Sequence, residues 1–152
     1  MANLKVPPLN EEAEESVLGA ILIDKDAISI VSGLISKNDF YNPVNGIIFS
    51  AMLSLYEEGK PIDVLTLVSK IKKNKTKQKI ESSYLADLVN SVPTAANIEH
   101  YAILIKEAST KRSLIRIGSE IVETAFTESA EVDDLLNKAE SSIFSVSQSN
   151  AL

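Results

Sequence analysis

The chain has 152 residues, 45% of them apolar, with a formal net charge of -6, a pI near 4.8 and no cysteine. That composition describes a soluble globular chain long enough for one or two small domains, not a disordered one. It excludes disulfides and thiolate metal sites and fits the cytoplasm; no run approaches the roughly 18 apolar residues of a membrane span.

In chain order, residues 1–9 read as an extended arm, stiffened by Pro7-Pro8 and lacking the apolar centre of a signal peptide. Helical periodicity then predicts a helix over about Glu11–Ile23. Its first turns carry Glu11, Glu12, Glu14 and Glu15, where the dipole favours anions, and Ala13, Val17, Ala20 and Ile21 form its inner stripe. A short helix is expected over about Ala27–Ile35, and Asp39-Phe40-Tyr41 reads as a turn. A third helix starts at Pro43, a good first helical residue, and ends at Gly59. Asp63 is placed to cap a fourth helix carrying Val64, Leu67, Val68 and Ile71.

Residues 60–79 hold seven lysines against one acid, Asp63, with no aromatic side chain among them. A basic patch of this kind can meet a phosphate backbone. Without aromatics to stack bases, a solvated loop after the fourth helix is the simpler reading, and direct DNA binding is expected to be weak or absent. A fifth helix includes Leu85, Leu88 and Val89. Pro93 must end it, and Thr94 or Asn97 can cap the next.

From Asn97 to about Phe126 there is no proline and one glycine, Gly118. A helix of that length spans roughly 45 Å, with Ser109-Thr110 as a place for a kink. The last helix, about Glu131–Gln148, has Val132, Leu136, Ala139, Ile143 and Val146 at seam spacing. A short turn between the two makes an antiparallel hairpin. The predicted fold is therefore all-α: a compact multi-helix head over 10–96, then a helical hairpin over 97–152.

On a helical wheel, Leu114, Ile115, Ile117, Gly118, Ile121, Val122, Ala125 and Phe126 cover an arc of about 180°. One partner helix needs only a narrow stripe. The remainder must be covered by the head or by a second copy of the chain, and a second copy is favoured because the hairpin is long and lies beyond the head. The expected partner surface comprises Leu114, Ile115, Ile117, Ile121, Val122 and Phe126, with Leu136 and Ile143 from the last helix.

No catalytic, cofactor or metal residues are assigned. One histidine, His100, and no cysteine cannot build a Cys–His or multi-His site. Gly59-Lys60 leads into Pro61, which offers neither the hydroxyl nor the donor of a phosphate-binding loop.

Several blocks stand in a specific order. Pro7-Pro8 precedes Glu12-Ala13-Glu14 and Ser16-Val17-Leu18-Gly19; Asp39-Phe40-Tyr41 and Ile48-Phe49 precede Gly59-Lys60-Pro61-Ile62-Asp63. Tyr84-Leu85 leads into Val92-Pro93-Thr94-Ala95-Ala96-Asn97-Ile98 and Tyr101-Ala102, followed by Arg112, Leu136, Ala139-Glu140 and Ile143-Phe144. Nearly end to end, this resembles the N-terminal domain of DnaB-type replicative helicases. The resemblance implies hairpins that dimerise, with three dimers forming the collar of a hexameric ring. It implies RecA-like ATPase domains beyond a linker, so ATP and magnesium belong to a domain absent here. The chain itself is expected not to be an enzyme, and it stops at Leu152, where that linker would begin. It implies docking of a DnaG-type primase, with a helicase loader as a further candidate partner. Tyr84, Ile115 and Ile121 match positions tied in the family to hairpin stability and the primase connection.

The chain departs from the pattern at Ile80-Glu81-Ser82-Ser83, where a Gly-Gly pair is usual, and at Asn45, where a histidine often stands. The alternative is a standalone helical module that binds a helicase or primase.

Overall fold

A computed structural model describes residues 5–76, 78–92 and 96–151, and it is helical throughout. Helix α1 (Glu11–Ile23) begins where Asn10 Oδ1 accepts the Ala13 N–H at 2.9 Å, a side-chain cap on a free helix donor. Helix α2 (Ala27–Val31) is shorter than the expected 27–35. Leu34 and Ile35 N–H both turn back to the Val31 carbonyl, so the chain bends at the poor helix former Gly33 while Ile35 still reaches the core. A 3-10 turn over Lys37–Asp39, not expected from the sequence, follows. It sends Phe40 inward, 5.2 Å from the Phe49 ring, and leaves Tyr41 exposed.

Helix α3 (Pro43–Glu57) is capped by Asn42, whose side chain accepts the Val44 N–H at 3.0 Å. It closes at Gly59, with φ of 70°. There the Gly59 and Lys60 N–H groups bond the Tyr56 and Leu55 carbonyls, a double bond pattern that needs a left-handed residue. Asp63 caps α4 (Val64–Lys73) by accepting the Thr66 N–H at 2.8 Å, and Thr66 Oγ1 accepts the Asp63 N–H in return. Helix α5 (Ser82–Ser91) follows, then α6 (Ile98–Ala125) and α7 (Val132–Asn150).

Pro93 and Thr94, the expected stop and cap, lie outside the described residues. Helix α6 starts at Ile98, with the Asn97 carbonyl accepting from the Tyr101 N–H. It runs unbroken through Ser109 and Thr110.

Two compact units emerge: Leu9–Lys106, and Met1–Pro8 with Glu107–Leu152. The division falls inside α6 rather than before it, because the first turns of α6 place Ile98, Ala102 and Ile105 in the head core. Around them lie Val17, Leu18 and Ile21 of α1, Ile48, Phe49 and Met52 of α3, Leu67 of α4, and Leu85 and Leu88 of α5. The contact of α1 with α5 is close: a Cβ on Gly19 would stand 2.3 Å from the Leu88 carbonyl oxygen. In the second unit, Arg112 Nη1 donates to the Pro8 carbonyl at 2.8 Å and ties down the arm.

Candidate functional site

In the second unit, α7 runs antiparallel to the C-terminal part of α6. Residues 126–131 join them, and at the far end Thr110 Oγ1 donates to Asn150 Oδ1 at 3.3 Å. The seam between the helices is formed by Ile117, Ile121 and Thr124 facing Leu135, Ala139 and Ser142, with Glu120 and Lys138 alongside. Three of these side chains are small or hydroxylated, and a gap of about 20 Å³, enough for one water, remains between the helices. The consequence is energetic. None of the 19 residues of α7 is fully buried, and a helix gains most of its stability from packing an apolar face.

Beside this thin seam runs an uncovered stripe. On α6 it consists of Leu114, Ile115 and Val122, continued by Phe126 just past the helix end, which is 84% exposed; on α7 it consists of Val132, Leu136 and Ile143. On each helix the stripe is rotated away from the seam in the direction of increasing residue number, by roughly 50–100° on α7 and roughly 50–170° on α6. Because the helices run in opposite directions, rotations of the same sense point to the same side of the hairpin. The two stripes therefore form one apolar face spanning both helices. Gly118 lies within it, with open space where a Cβ would be. Contiguous exposed apolar surface of this kind is uncommon on monomeric proteins.

The sequence-predicted residues divide into three groups. Leu114, Ile115, Val122, Phe126, Leu136 and Ile143 lie on the open face. Ile117, 3% exposed, and the half-buried Ile121 line the seam inside the hairpin and are not surface anchors. Tyr84 stands apart from both, in the head. The expected α7 seam is also corrected. Val132, Leu136 and Ile143 do not face α6; Leu135 and Ser142 do, with Ala139 common to both sets and Val146 half-buried in register with them. The apolar spacing was legible, but it belongs to the face that α6 leaves open. Leu135, Ser142 and Thr124 carried no strong sequence signal.

Tyr84 takes part in a polar chain through the head. Its hydroxyl donates to Asn45 Oδ1 at 2.5 Å, and Asn45 Nδ2 donates to Glu14 Oε1 at 3.0 Å. Glu14, read from sequence as a dipole complement, is in fact buried. Its carboxylate also accepts the Tyr41 N–H at 2.7 Å and the Asn42 N–H at 3.3 Å, fixing the loop before α3. Burial, reinforced by the Glu15 charge, pushes the Tyr84 hydroxyl up to about 12. Burial, then the charges of Glu11, Glu14 and Glu12, raises Glu15 as well.

Lys60, after the turn glycine Gly59, pairs with Glu58 at 2.9 Å, and Lys70 pairs with the same carboxylate. These two lysines hold Glu58 down at about 2. Among the described residues no group of three or more His, Cys, Asp or Glu is placed to hold a metal, and no helix is long and apolar enough to cross a membrane. His100 is exposed on the first turn of α6 beside Tyr101.

Helical head, long shared helix and open-faced hairpin define an all-α domain with an exposed apolar face. The description "DnaB-like helicase N terminal domain" matches residues 6–107, and the chain belongs to that family. It is 41% identical over 149 residues to the protein named Replicative DNA helicase DnaC of Bacillus subtilis (strain 168), covering 97% of this chain and 33% of that one. The chain thus spans about a third of the length of the curated relatives it matches. The crystal structure of the N-terminal domain of DnaB helicase from Mycobacterium tuberculosis matches with a TM-score of 0.86 at 34% identity, over 92% of this chain and 99% of that one. The N-terminal domain of DnaB helicase from Helicobacter pylori, described together with its interactions with primase, matches with a TM-score of 0.68 at 34% identity, over 76% and 90%.

Proposed function

We propose that these residues are the assembly and partner-docking domain of a cytoplasmic, ATP-driven replicative helicase. Two hairpins pair through the open apolar face, three pairs form the collar of a hexameric ring, and the collar receives a DnaG-type primase. A helicase loader is a second candidate partner. Nucleotide chemistry with ATP and magnesium belongs to the parent helicase and not to this domain.

One observation carries this reading: α7 buries no residue fully, while an apolar stripe runs along it and continues onto α6. A second copy offers the same stripe, so the contact is isologous and closes on itself. The primase proposal is supported by the description of the Helicobacter pylori domain. Within it, Ile115 is placed to touch a partner directly, while Ile121 and Tyr84 act by positioning the hairpin seam and the head.

Sedimentation across a concentration series tests the pairing. Dimers or larger species are expected at micromolar concentration; a strictly monomeric chain at high concentration would refute it. Titration of a DnaG-type primase against the wild-type and Ile115→Glu chains tests the docking, with loss of binding expected in the variant.

A further inference from the structure

The head carries a second surface that neither the hairpin nor its pairing explains. A cleft of about 480 Å³ opens between the C-terminal half of α4 and the segment entering α5. Its floor is aliphatic, formed by Val68, Ile71, Ile80 and Leu85, and its rim carries Lys72, Lys75 and Lys79 against one acid, Glu81, which pairs with Lys79.

The charge here runs against the rest of the chain. Seven of the 15 basic residues fall within residues 60–79 of a protein with net charge -6. Lys72, in the last turn of α4, complements the helix dipole. Lys75 and Lys79 lie beyond the helix and have no such reason. Lys75 also adopts φ of 48°, the left-handed conformation that follows a helix end and that glycine or asparagine adopts at lower cost. Lys79 pairs with Glu81 at 3.5 Å, whereas Lys72 and Lys75 form no ion pair among the described residues. They remain available to an incoming carboxylate.

We propose that this cleft docks an acidic, aliphatic-bearing helical segment of a partner protein, its leucine-type side chains on the floor and its carboxylates against Lys72 and Lys75. Charge complementarity selects the sign of the partner. The floor selects its class: single-stranded nucleic acid binds by stacking on aromatic rings, and no aromatic side chain lines the cleft.

Fluorescence anisotropy on the 152-residue chain tests this with three labelled probes. They are an acidic helical peptide of about five turns with leucines at i, i+3, i+4 and i+7, the same peptide with serine for leucine, and an oligodeoxythymidylate. The leucine peptide is expected to bind in a salt-sensitive manner. Binding should fall at least about tenfold in Lys72→Glu/Lys75→Glu and also in Ile80→Ser, but not in Lys25→Glu, an exposed lysine outside the cleft. Circular dichroism confirms that each variant is folded. Equal binding of the serine peptide would reduce the site to bulk charge attraction and overturn the proposal. So would tighter, Lys72- and Lys75-dependent binding of the oligonucleotide, or no binding of the leucine peptide up to about 1 mM.

Discussion

Leu114 and Ile117 stand three residues apart on α6, yet Ile117 is 3% exposed and Leu114 is 47% exposed. Three residues rotate a helix by about 300°, which leaves the two side chains only about 60° apart. The edge of α7 therefore falls between them. Leu114, Val122 and Ile115, on the Leu114 side of that edge, are apolar surface that one hairpin does not cover.

Charge placed on that surface should separate assembly from folding. Val122→Glu and Leu136→Glu are expected to abolish self-association in sedimentation while changing protomer stability by no more than about 0.5 kcal/mol. Ile117→Ala, inside the seam, is expected to cost about 2 kcal/mol or more in chemical denaturation.

Gly118→Ala should stabilise the isolated protomer. The added Cβ meets no atom within 4 Å, and glycine inside a helix costs roughly 0.5–1 kcal/mol relative to alanine. Denaturation at a concentration low enough to keep the chain monomeric is the measurement.

Gly19→Ala should do the reverse. Its Cβ would lie 2.3 Å from the Leu88 oxygen and 2.5 Å from Val92 Cγ2. Backbone has little room to yield, so α1 and α5 must separate. A loss of about 1–3 kcal/mol is expected from overpacking, seen as a lower denaturation midpoint.

Glu14→Ala removes the acceptor shared by the Tyr41 and Asn42 N–H groups and Asn45 Nδ2. Hydrogen bonds to a charged group contribute about 1.5–3 kcal/mol each, so destabilisation above about 3 kcal/mol is expected. Glu14→Gln keeps one oxygen but turns an amide donor towards another donor, and about 1–3 kcal/mol should be lost.

Tyr84 makes stability depend on alkaline pH. Its hydroxyl titrates near 12 in the folded chain against 10.0 when free. The unfolded chain therefore ionises first as pH rises. The stabilisation is fully present below pH 10 and is lost between pH 10 and 12. Tyr84→Phe should cost about 1 kcal/mol at neutral pH and show a smaller decline than wild type across that window. Equal declines in parallel denaturation series would remove Tyr84 from the account.

Local chemistry made much of the fold legible. The bounds of α1 match expectation because Asn10 caps its start and apolar spacing marks its length. Gly59 and Asp63 set the end of α3 and the start of α4 for equally local reasons. Helix α2 was overestimated because Leu34 and Ile35 continue an apolar pattern whose backbone has already turned. Burial of Glu14 was illegible, since its partners lie 27 to 31 residues away.

The sequence by itself determined the helices and the stripes along them, since caps, turn glycines and 3.6-residue periodicity act within a few residues. It also determined that the hairpin carries more apolar surface than one partner helix can bury. Only the tertiary structure decided which edge of each stripe is covered. It turned Leu135, Ala139 and Ser142 towards α6 and left Val132, Leu136 and Ile143 open. That choice depends on the rotation of one helix about its axis against another, and periodicity alone does not fix that rotation.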